Sequence, residues 1–189
     1  MLKATNKHKP VVVEILFESF YSNRSIQYII PKDNYEKRAR HLMEYSYDMC
    51  KWFGDVFLSD DEKACALILY PEKKKFSLFS LILDLKLLFN CIGFKNINRV
   101  LKREAAIKKI HPATQMSYLW YIGVSPSNQH KGIGSGLLKE IINKSNIEQR
   151  LIYLETSLPE NIAWYQKHGF DIYHQLDFGY NLYFLRNNI

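Results

Sequence analysis

Residues 118–138 read YLWYIGVSPSNQHKGIGSGLL, and this stretch decides how the rest of the chain is interpreted. Its first part is rich in aromatic and β-branched residues and predicts a strand over Met116–Val124. Turn-forming residues follow the strand. Apolar residues at helical spacing then predict a helix over Lys131–Lys144. The stretch therefore predicts a strand, a turn and a glycine-rich helix start in succession.

The start of this helix offers a binding site for an anion. The first N–H groups of a helix have no partner within it, and the helix dipole places partial positive charge there. Gly132 and Gly134 carry no side chain that would shield the backbone, and His130 and Lys131 add donors at the rim. Free backbone groups over 122–124 can pair with an amide-containing arm. A ligand with a diphosphate and a peptide-like tail, such as coenzyme A, fits both features.

Other glycine motifs fit this stretch less well. A Walker motif needs lysine after its last glycine, whereas here the lysine precedes Gly132. Gly132, Gly134 and Gly136 give GxGxG rather than the dinucleotide-binding GxGxxG. Ser135 lacks the flanking glycines of a hydrolase GxSxG. A helix start that only packs tightly is the remaining alternative to an anion site.

Two blocks of the sequence resemble the GNAT superfamily of N-acetyltransferases. Gln129-x-x-Gly132-x-Gly134 is similar to the family's pyrophosphate-binding signature, [QR]-x-x-G-x-[GA]. The second block is LETS over 154–157, followed by Asn161, Tyr165 and Gly169-Phe170. Its wording is closest to the puromycin N-acetyltransferase-like branch. The resemblance covers roughly residues 116–186.

The resemblance implies an α/β (α+β) fold in one N-acetyltransferase domain over 1–189. It implies a central, mixed but mostly antiparallel twisted sheet, with helices on both faces and a splayed strand pair forming the acetyl-CoA cleft. Residues 72–112 are predicted to be a helical insertion that lines the acceptor pocket. Residue patterns predict further helices over Val11–Tyr21, from the N-cap Asp33 to Gly54, and over Phe76–Cys91, Ile97–Ile110 and Leu158–His168, the last with a Ser157/Glu160 capping box. They predict strands over Ile26–Ile30, Asp55–Ser59, Ala64–Tyr70 and Leu151–Glu155, and a hairpin over Phe170–Phe178 and Tyr180–Arg186.

The resemblance also implies the reaction, which is direct acetyl transfer from acetyl-CoA to a primary amine through a tetrahedral intermediate. Tyr165 would be the general acid that protonates the departing thiolate, and Asn161 would share its helix face and contact the cofactor. A backbone N–H near Ile122 or Gly123 would polarise the acetyl carbonyl. The full set of expected cofactor-binding residues is Ile122, Gly123, Val124, Gln129, His130, Lys131, Gly132, Ile133, Gly134, Ser135, Asn161 and Tyr165.

The general base is not decided by the sequence. Glu155, at the end of its predicted strand, is the first candidate, although a hydrogen-bonded structural carboxylate is an equal interpretation. Tyr118 is an alternative, near the start of the cofactor-binding strand. His111 and His174 are weaker candidates, because a lone histidine more often lies at the surface or is satisfied within the fold.

Composition narrows the possible partners. The formal net charge of +7 suits an anionic ligand, but the basic residues are scattered, with only Lys73–Lys75 as a dense run, and this argues against nucleic acid. Cys50, Cys65 and Cys91 share no metal-binding spacing, so we expect no metal and a reducing, cytoplasmic environment. Phe76–Phe89 is too short and too charged to span a membrane, and indicates a buried or pocket-covering helix.

The substrate expected from the branch resemblance is a small-molecule amine, acetylated by a monomer or a homodimer without membrane contact. Two alternatives use the same fold. One is a non-catalytic sensor or scaffold that binds coenzyme A, and the other is an acetyltransferase directed at protein or tRNA.

Overall fold

The computed structural model describes residues 1–74 and 77–188. These residues form a seven-stranded sheet in the order β1-β2-β3-β4-β5-β7-β6. The strands are β1 (Leu2–Lys3), β2 (Gly54–Leu58), β3 (Ala64–Leu69), β4 (Met116–Val124), β5 (Leu151–Thr156), β6 (Phe170–Asp177) and β7 (Asn181–Asn187). The α-helices are α1 (Lys9–Phe20), α2 (Arg24–Ile29), α3 (Tyr35–Phe53), α4 (Leu78–Leu87), α5 (Ile97–Ile110), α6 (Ile133–Ile147) and α7 (Glu160–Gln166).

The sheet is mostly antiparallel and is covered by helices on both faces, as predicted. Every neighbouring pair of strands is antiparallel except β4 with β5. One core cluster joins α1 and α3 to the sheet and includes Val12, Leu16, Met43, Tyr47, Leu58 and Leu67. A second joins α6 and α7 to the opposite face and includes Leu137, Ile141, Leu119, Leu154 and Tyr165. The alternation of side chains along each strand supplies both clusters.

The parallel pair β4–β5 is short and opens at one end. Only Met116–Tyr118 pairs with Leu151–Tyr153. Beyond this point β4 continues to Val124 alongside β3, whereas β5 continues alongside β7. The two strands therefore diverge and leave a cleft between them, which confirms the predicted splayed pair.

A bulge in β4 lies beside the opening. Leu67 pairs with Tyr121 and Ile68 with Leu119, so Trp120 is an extra residue without a partner in β3. Trp120 and Tyr121 consequently both pack against the cluster under α1 and α3, although adjacent strand residues normally point to opposite faces.

Two predictions near the N-terminus are wrong. Residues 26–29 of the predicted strand are not extended but belong to α2, and only its C-cap Ile30 has extended angles. The helix forms because Asn23 caps it by accepting a hydrogen bond from the Ser25 N–H at 2.9 Å. Asp33 is not an N-cap, because its carboxylate instead pairs with Arg38 at 2.8 Å. Helix α3 begins after Asn34, which has a left-handed φ of 52°.

The capping box predicted for α7 is also absent. The Ser157 hydroxyl donates to Asn23 Oδ1 at 3.2 Å instead of bonding the helix start. Helix α7 begins at Glu160, after Pro159, and ends earlier than predicted. A contact between segments distant in sequence therefore replaced the local bond.

The insertion has the predicted helices but not the predicted burial. Leu83 on α4 packs against Met49 and Phe53 of α3, while the opposite side of α4 is exposed. A π-helical turn over Leu88–Ile92 extends α4. The predicted start at Phe76, and Lys75 of the basic run, lie outside the described residues. In the part of the chain that the structure describes, no helix is both long and apolar enough to cross a membrane.

Candidate active site

Helix α6 begins with backbone N–H groups that have no acceptor among the described residues. The first hydrogen bond into the helix runs from the Gly136 N–H to the Gly132 carbonyl at 2.9 Å. In the described chain, the N–H groups of residues 133–135 therefore have no backbone acceptor. His130 and Gly132 both adopt left-handed φ angles, of 61° and 82°, which turn the chain into the helix. This arrangement can bind a phosphate group.

Gly132 and Gly134 are favoured at their positions for different structural reasons. Gly132 has the positive φ that other residues adopt at a cost. Gly134 instead lies close to β4 and α7, because a Cβ there would be 3.1 Å from Val124 Cγ2 and 3.9 Å from Trp164 Cζ2. The Trp164 indole N–H donates to Ser135 Oγ at 2.9 Å and fixes α7 to the start of α6.

Some backbone groups at the end of β4 already have hydrogen-bond partners within the protein. The Val124 carbonyl accepts hydrogen bonds from Ser19 Oγ at 2.9 Å and from the Gln129 side chain at 3.2 Å. Gly123 lies under α1, where a Cβ would be 3.0 Å from Ser19 Oγ. Because both lone pairs of the Val124 carbonyl have donors, a ligand arm would have to use other backbone groups of β4, such as those of Ile122.

Lys131 stabilises the turn before α6. Its ammonium donates to the Ser127 carbonyl at 2.8 Å and to Asn128 Oδ1 at 3.3 Å. The side chain is exposed, so its charge remains close to the helix start.

Tyr165 lies on α7 with its ring in the core. The ring packs on Trp164 and Phe170, with centroid distances of 4.7 and 5.6 Å. The hydroxyl has no hydrogen-bond partner among the described residues, and burial raises the pKa of Tyr165 above its ordinary value. Asn161, one turn earlier, is half-buried. Tyr165 is thus a protonated donor at ordinary pH.

A polar group of three side chains lies where β4 and β5 separate. Glu155 Oε2 accepts from the Tyr118 hydroxyl at 2.5 Å, and Glu155 Oε1 lies 2.5 Å from His111 Nε2. Only 8% of the Glu155 side chain and 15% of the His111 side chain are exposed. Burial, and then the charge of Glu155, raise the pKa of Tyr118 well above its ordinary value. The structure thus brings together three of the four base candidates from the sequence.

His111 lies closer to the other general-base candidates than its low ranking from the sequence predicted. It follows the last residue of α5, and its position over β5 depends on how the insertion packs across the sheet. No local motif marks that placement. His174, the other weak candidate, is exposed on β6 and packs on Phe184, whereas the described hydrogen bonds of Glu155 go to His111 and Tyr118.

An aromatic wall extends from this group toward the insertion. Tyr118 stacks on Trp120, with ring centroids 6.4 Å apart, and Trp120 meets Tyr45 edge-on at 6.2 Å. The Tyr45 hydroxyl donates to Asp84 of α4 at 2.7 Å. Phe79 and Leu83 of α4 belong to the same apolar cluster as Trp120. The insertion therefore supports this wall.

A separate cavity of about 520 Å³ lies away from the cleft, between β2 and the end of α6. Three of its four basic residues face acids, since Lys3 and Lys144 pair with Asp55, and Arg150 pairs with Glu72. The fourth, Lys73, lies over the Tyr70 ring at 4.2 Å. Among the described residues, no group of three or more His, Cys, Asp or Glu side chains could hold a metal ion.

Comparison with known proteins agrees with this geometry. Residues 91–172 match the family model described as an acetyltransferase (GNAT) domain. A histone acetyltransferase HPA2-related protein from Corynebacterium glutamicum has a TM-score of 0.70 at 20% identity, covering 100% of this chain and 95% of that one. A GNAT family acetyltransferase from Elizabethkingia anophelis with acetyl-CoA bound has a TM-score of 0.55 at 15% identity, covering 100% and 96%.

A third similar structure is the ribosomal-protein-S18-alanine N-acetyltransferase from Escherichia coli, with a TM-score of 0.55 at 12% identity, covering 98% of this chain and 90% of that one. At these identities the likeness concerns the fold, while the family model concerns the segment that holds the cleft. The chain thus has the GNAT fold and carries, over residues 91–172, a segment that matches the GNAT acetyltransferase domain.

Proposed function

We propose that this protein transfers an acetyl group from acetyl-CoA to a primary amine of a small molecule. The observation that carries the proposal is the separation of β4 and β5 after Tyr118 and Tyr153, next to the unpaired N–H groups of α6. A diphosphate at α6 and an acyl arm along β4 would bring the acetyl group toward the polar group at Glu155. The similar fold from Elizabethkingia anophelis, which has acetyl-CoA bound, supports this choice.

The diphosphate would be held by the main chain from Gln129 to Ser135. Lys131 adds positive charge at the rim, and His130 is exposed beside it. The arm would pair with β4 near Ile122, and an N–H of Ile122 or Gly123 would polarise the acetyl carbonyl. Such oriented donors act where negative charge develops in the transition state.

The thioester supplies an electrophilic carbonyl, which a neutral amine attacks to give a tetrahedral oxyanion before the thiolate leaves. Tyr165 donates its hydroxyl proton to that thiolate, since its raised pKa keeps it protonated. Its hydroxyl has no competing partner in the described chain. Asn161 lies one turn away on the same helix face and would position the arm.

Glu155 and His111 would together remove the proton that the substrate ammonium must lose, with His111 taking up the proton and Glu155 stabilising the resulting charge. The carboxylate orients His111 through Nε2, so Nδ1 can accept a proton if Nε2 carries the hydrogen. Tyr118 holds the other carboxylate oxygen in place. The three side chains form one proton-accepting unit at the apex of the cleft.

Contacts across the acceptor side favour a small acceptor over a polypeptide. Tyr28 of α2 packs on Phe178 and Tyr180 at the turn between β6 and β7, with centroid distances of 5.8 and 5.6 Å. Arg103 of α5 donates to the Tyr180 hydroxyl at 3.0 Å. These contacts join α2 and α5 to the turn between β6 and β7, and such a connection would leave less room for an extended peptide than for a small amine. The puromycin N-acetyltransferase-like wording of 154–170 favours the same acceptor class.

The proposal is tested by calorimetry with coenzyme A and acetyl-CoA, followed by thiol release with a panel of amines. We expect uptake of both ligands and amine-dependent thiol release. Uptake without thiol release from any amine or peptide would favour a coenzyme A sensor. Release with peptides but not with small amines would contradict the acceptor class, and absence of uptake would contradict the whole proposal.

The three cysteines are free, buried thiols, which suits a reducing compartment. We place the reaction in the cytoplasm on this basis.

A further inference from the structure

Helix α4 is apolar on two opposite sides. Leu83 faces the core, and only 5% of it is exposed. A second stripe, at the 3- and 4-residue spacing of one helix face, is between 40% and 74% exposed and consists of Leu78, Leu81, Ile82, Leu85 and Phe89. A helix with apolar residues on both sides normally has both sides covered.

The exposed surface continues beyond the helix at each end. Trp52, 63% exposed, packs on Phe79 with ring centroids 4.4 Å apart. Phe94, 66% exposed, packs on Phe89 at 5.3 Å. We call this set the α4 surface: Trp52, Leu78, Leu81, Ile82, Leu85, Phe89 and Phe94. It holds seven of the twelve exposed large apolar residues in the described chain, so these side chains are clustered rather than scattered.

Most of the net positive charge of the chain arises in the same segment, because it contains few acids. Residues 72–102 contain seven Lys or Arg and two Asp or Glu, so this segment supplies five of the net seven charges. Both acids have partners, since Glu72 pairs with Arg150 at 2.7 Å and Asp84 accepts from Tyr45 at 2.7 Å. Lys86 and Lys95 are exposed within the segment.

We propose that the α4 surface docks on an anionic lipid membrane. An apolar stripe bordered by lysines can lie at the boundary between headgroups and acyl chains, where long lysine side chains reach the phosphates. Basic residues near such a surface are attracted by its negative potential. A second copy of this chain is disfavoured as the occupant, because the two basic segments would face each other. This docking is peripheral and departs from the sequence-based expectation of no membrane contact.

Vesicle co-sedimentation tests the proposal independently of catalysis. The probes are vesicles of phosphatidylcholine alone and vesicles of phosphatidylcholine with phosphatidylserine. We expect binding to the second kind and little to the first. The double variant Leu85→Ser/Phe89→Ser should lower the affinity by about tenfold or more, because it removes two membrane-inserting side chains. Ile147→Ser is the matched control, since Ile147 on α6 is 76% exposed but lies outside the α4 surface.

The charge contribution is tested with Lys86→Glu/Lys95→Glu and with added salt. Both should weaken binding to the anionic vesicles, since the attraction is electrostatic and screened. Far-ultraviolet circular dichroism and thermal unfolding establish that each variant is folded. Absence of binding by the folded wild type would overturn the proposal, as would equal binding to both vesicle types. A dimer that Leu85→Ser/Phe89→Ser dissociates would assign the surface to a second copy instead.

Discussion

Tyr165 combines a buried ring with a hydroxyl that has no partner in the described chain, so its chemistry can be separated from its packing. Tyr165→Phe keeps the ring contacts with Trp164 and Phe170 and removes only the proton donor. We expect kcat for thiol release to fall by about a hundredfold or more, with little change in the affinity for acetyl-CoA. A thiol-release assay and calorimetry measure the two quantities.

The control for this variant is Tyr47→Phe. Tyr47 is also buried, and its hydroxyl donates to the Thr5 carbonyl at 2.8 Å, away from the cleft. Removing the Tyr47 hydroxyl should lower the free energy of unfolding without changing the rate of acetyl transfer. If Tyr165→Phe retained the wild-type kcat, the acid role would be ruled out.

The raised pKa of Tyr165 also leads to a prediction for the proposed acetyl transfer at alkaline pH. A general acid acts only while it is protonated, and burial moves the deprotonation of Tyr165 above the ordinary tyrosine pKa of about 10. We therefore expect kcat to show no decline due to Tyr165 up to about pH 10. A pH–rate profile checks this. If kcat declined below about pH 10 and this decline disappeared in Tyr165→Phe, the prediction would be contradicted.

Glu155 is the centre of the proposed proton-accepting unit. Glu155→Gln keeps the side-chain shape but cannot hold the negative charge that Tyr118 and His111 contact. We expect kcat/KM to fall by about a hundredfold or more. Steady-state kinetics with a good amine substrate provide the measurement.

His174→Gln is the matched control for the second half of that unit, because His174 is an exposed histidine on β6. His111→Gln should lower kcat/KM, whereas His174→Gln should not. If His111→Gln left kcat/KM unchanged, Glu155 would act without His111.

At the scale of a single element, two glycines in the first turn of α6 allow the effect of packing on stability to be separated from the effect of helix propensity. Alanine is preferred over glycine in a helix by about 1 kcal/mol. Gly136→Ala places its Cβ in open space and should raise the free energy of unfolding by up to that amount. Gly134→Ala places a Cβ 3.1 Å from Val124 Cγ2, so it should stabilise less or destabilise, and it should weaken binding of coenzyme A.

Urea unfolding and calorimetry on this pair test both statements. The comparison is sharp because both variants make the same chemical change two residues apart on one helix. Gly134→Ala with the stability and affinity of Gly136→Ala would show that the close approach of α6 to β4 is unimportant.

Elements with strong local patterns could be predicted from the sequence. The bounds of β4 and α5 agree with the predictions because β4 is a continuous aromatic and β-branched run and α5 has a helical period ended by His111-Pro112. Helix α2 could not be predicted, because its start depends on the Asn23 cap rather than on an apolar period. The sequence also did not predict that one side of α4 is exposed, because apolar residues on both sides of a helix do not indicate which side packs against the rest of the fold.

At the scale of the whole molecule, the cleft arises from strand pairing rather than from any single residue. The three-residue contact between β4 and β5 is set by which neighbour each strand follows afterwards, β3 for one and β7 for the other. The sequence indicated this separation only through its resemblance to a family. The meeting of His111 with Glu155 has the same origin, since the two residues come from an insertion and a strand that are 44 positions apart.

Asp55 connects four parts of the molecule and should make its stability depend on pH. Its carboxylate, 8% exposed, pairs with Lys3 of β1 and Lys144 of α6, and accepts from the Tyr70 hydroxyl at 2.8 Å. Burial alone would raise the pKa of Asp55, but the bonds from Lys3 and Tyr70 outweigh it and hold the pKa below its ordinary value. The ionised carboxylate is therefore favoured by the folded state.

A group whose pKa is lower in the folded state stabilises it above the unfolded pKa, here about 3.9, and that stabilisation is lost as the pH falls through the folded pKa. Because Lys3 is 65% exposed and solvent screens its charge, Asp55→Asn should cost roughly 1–2 kcal/mol at neutral pH. Urea unfolding of both proteins at pH values from about 7 to 3 should show this difference shrinking toward acid. Glu18→Gln, on the exposed side of α1, should show no such trend. A stability difference that stayed constant or grew toward acid would mean that the carboxylate stabilises the fold as a hydrogen-bonding group rather than as a charge.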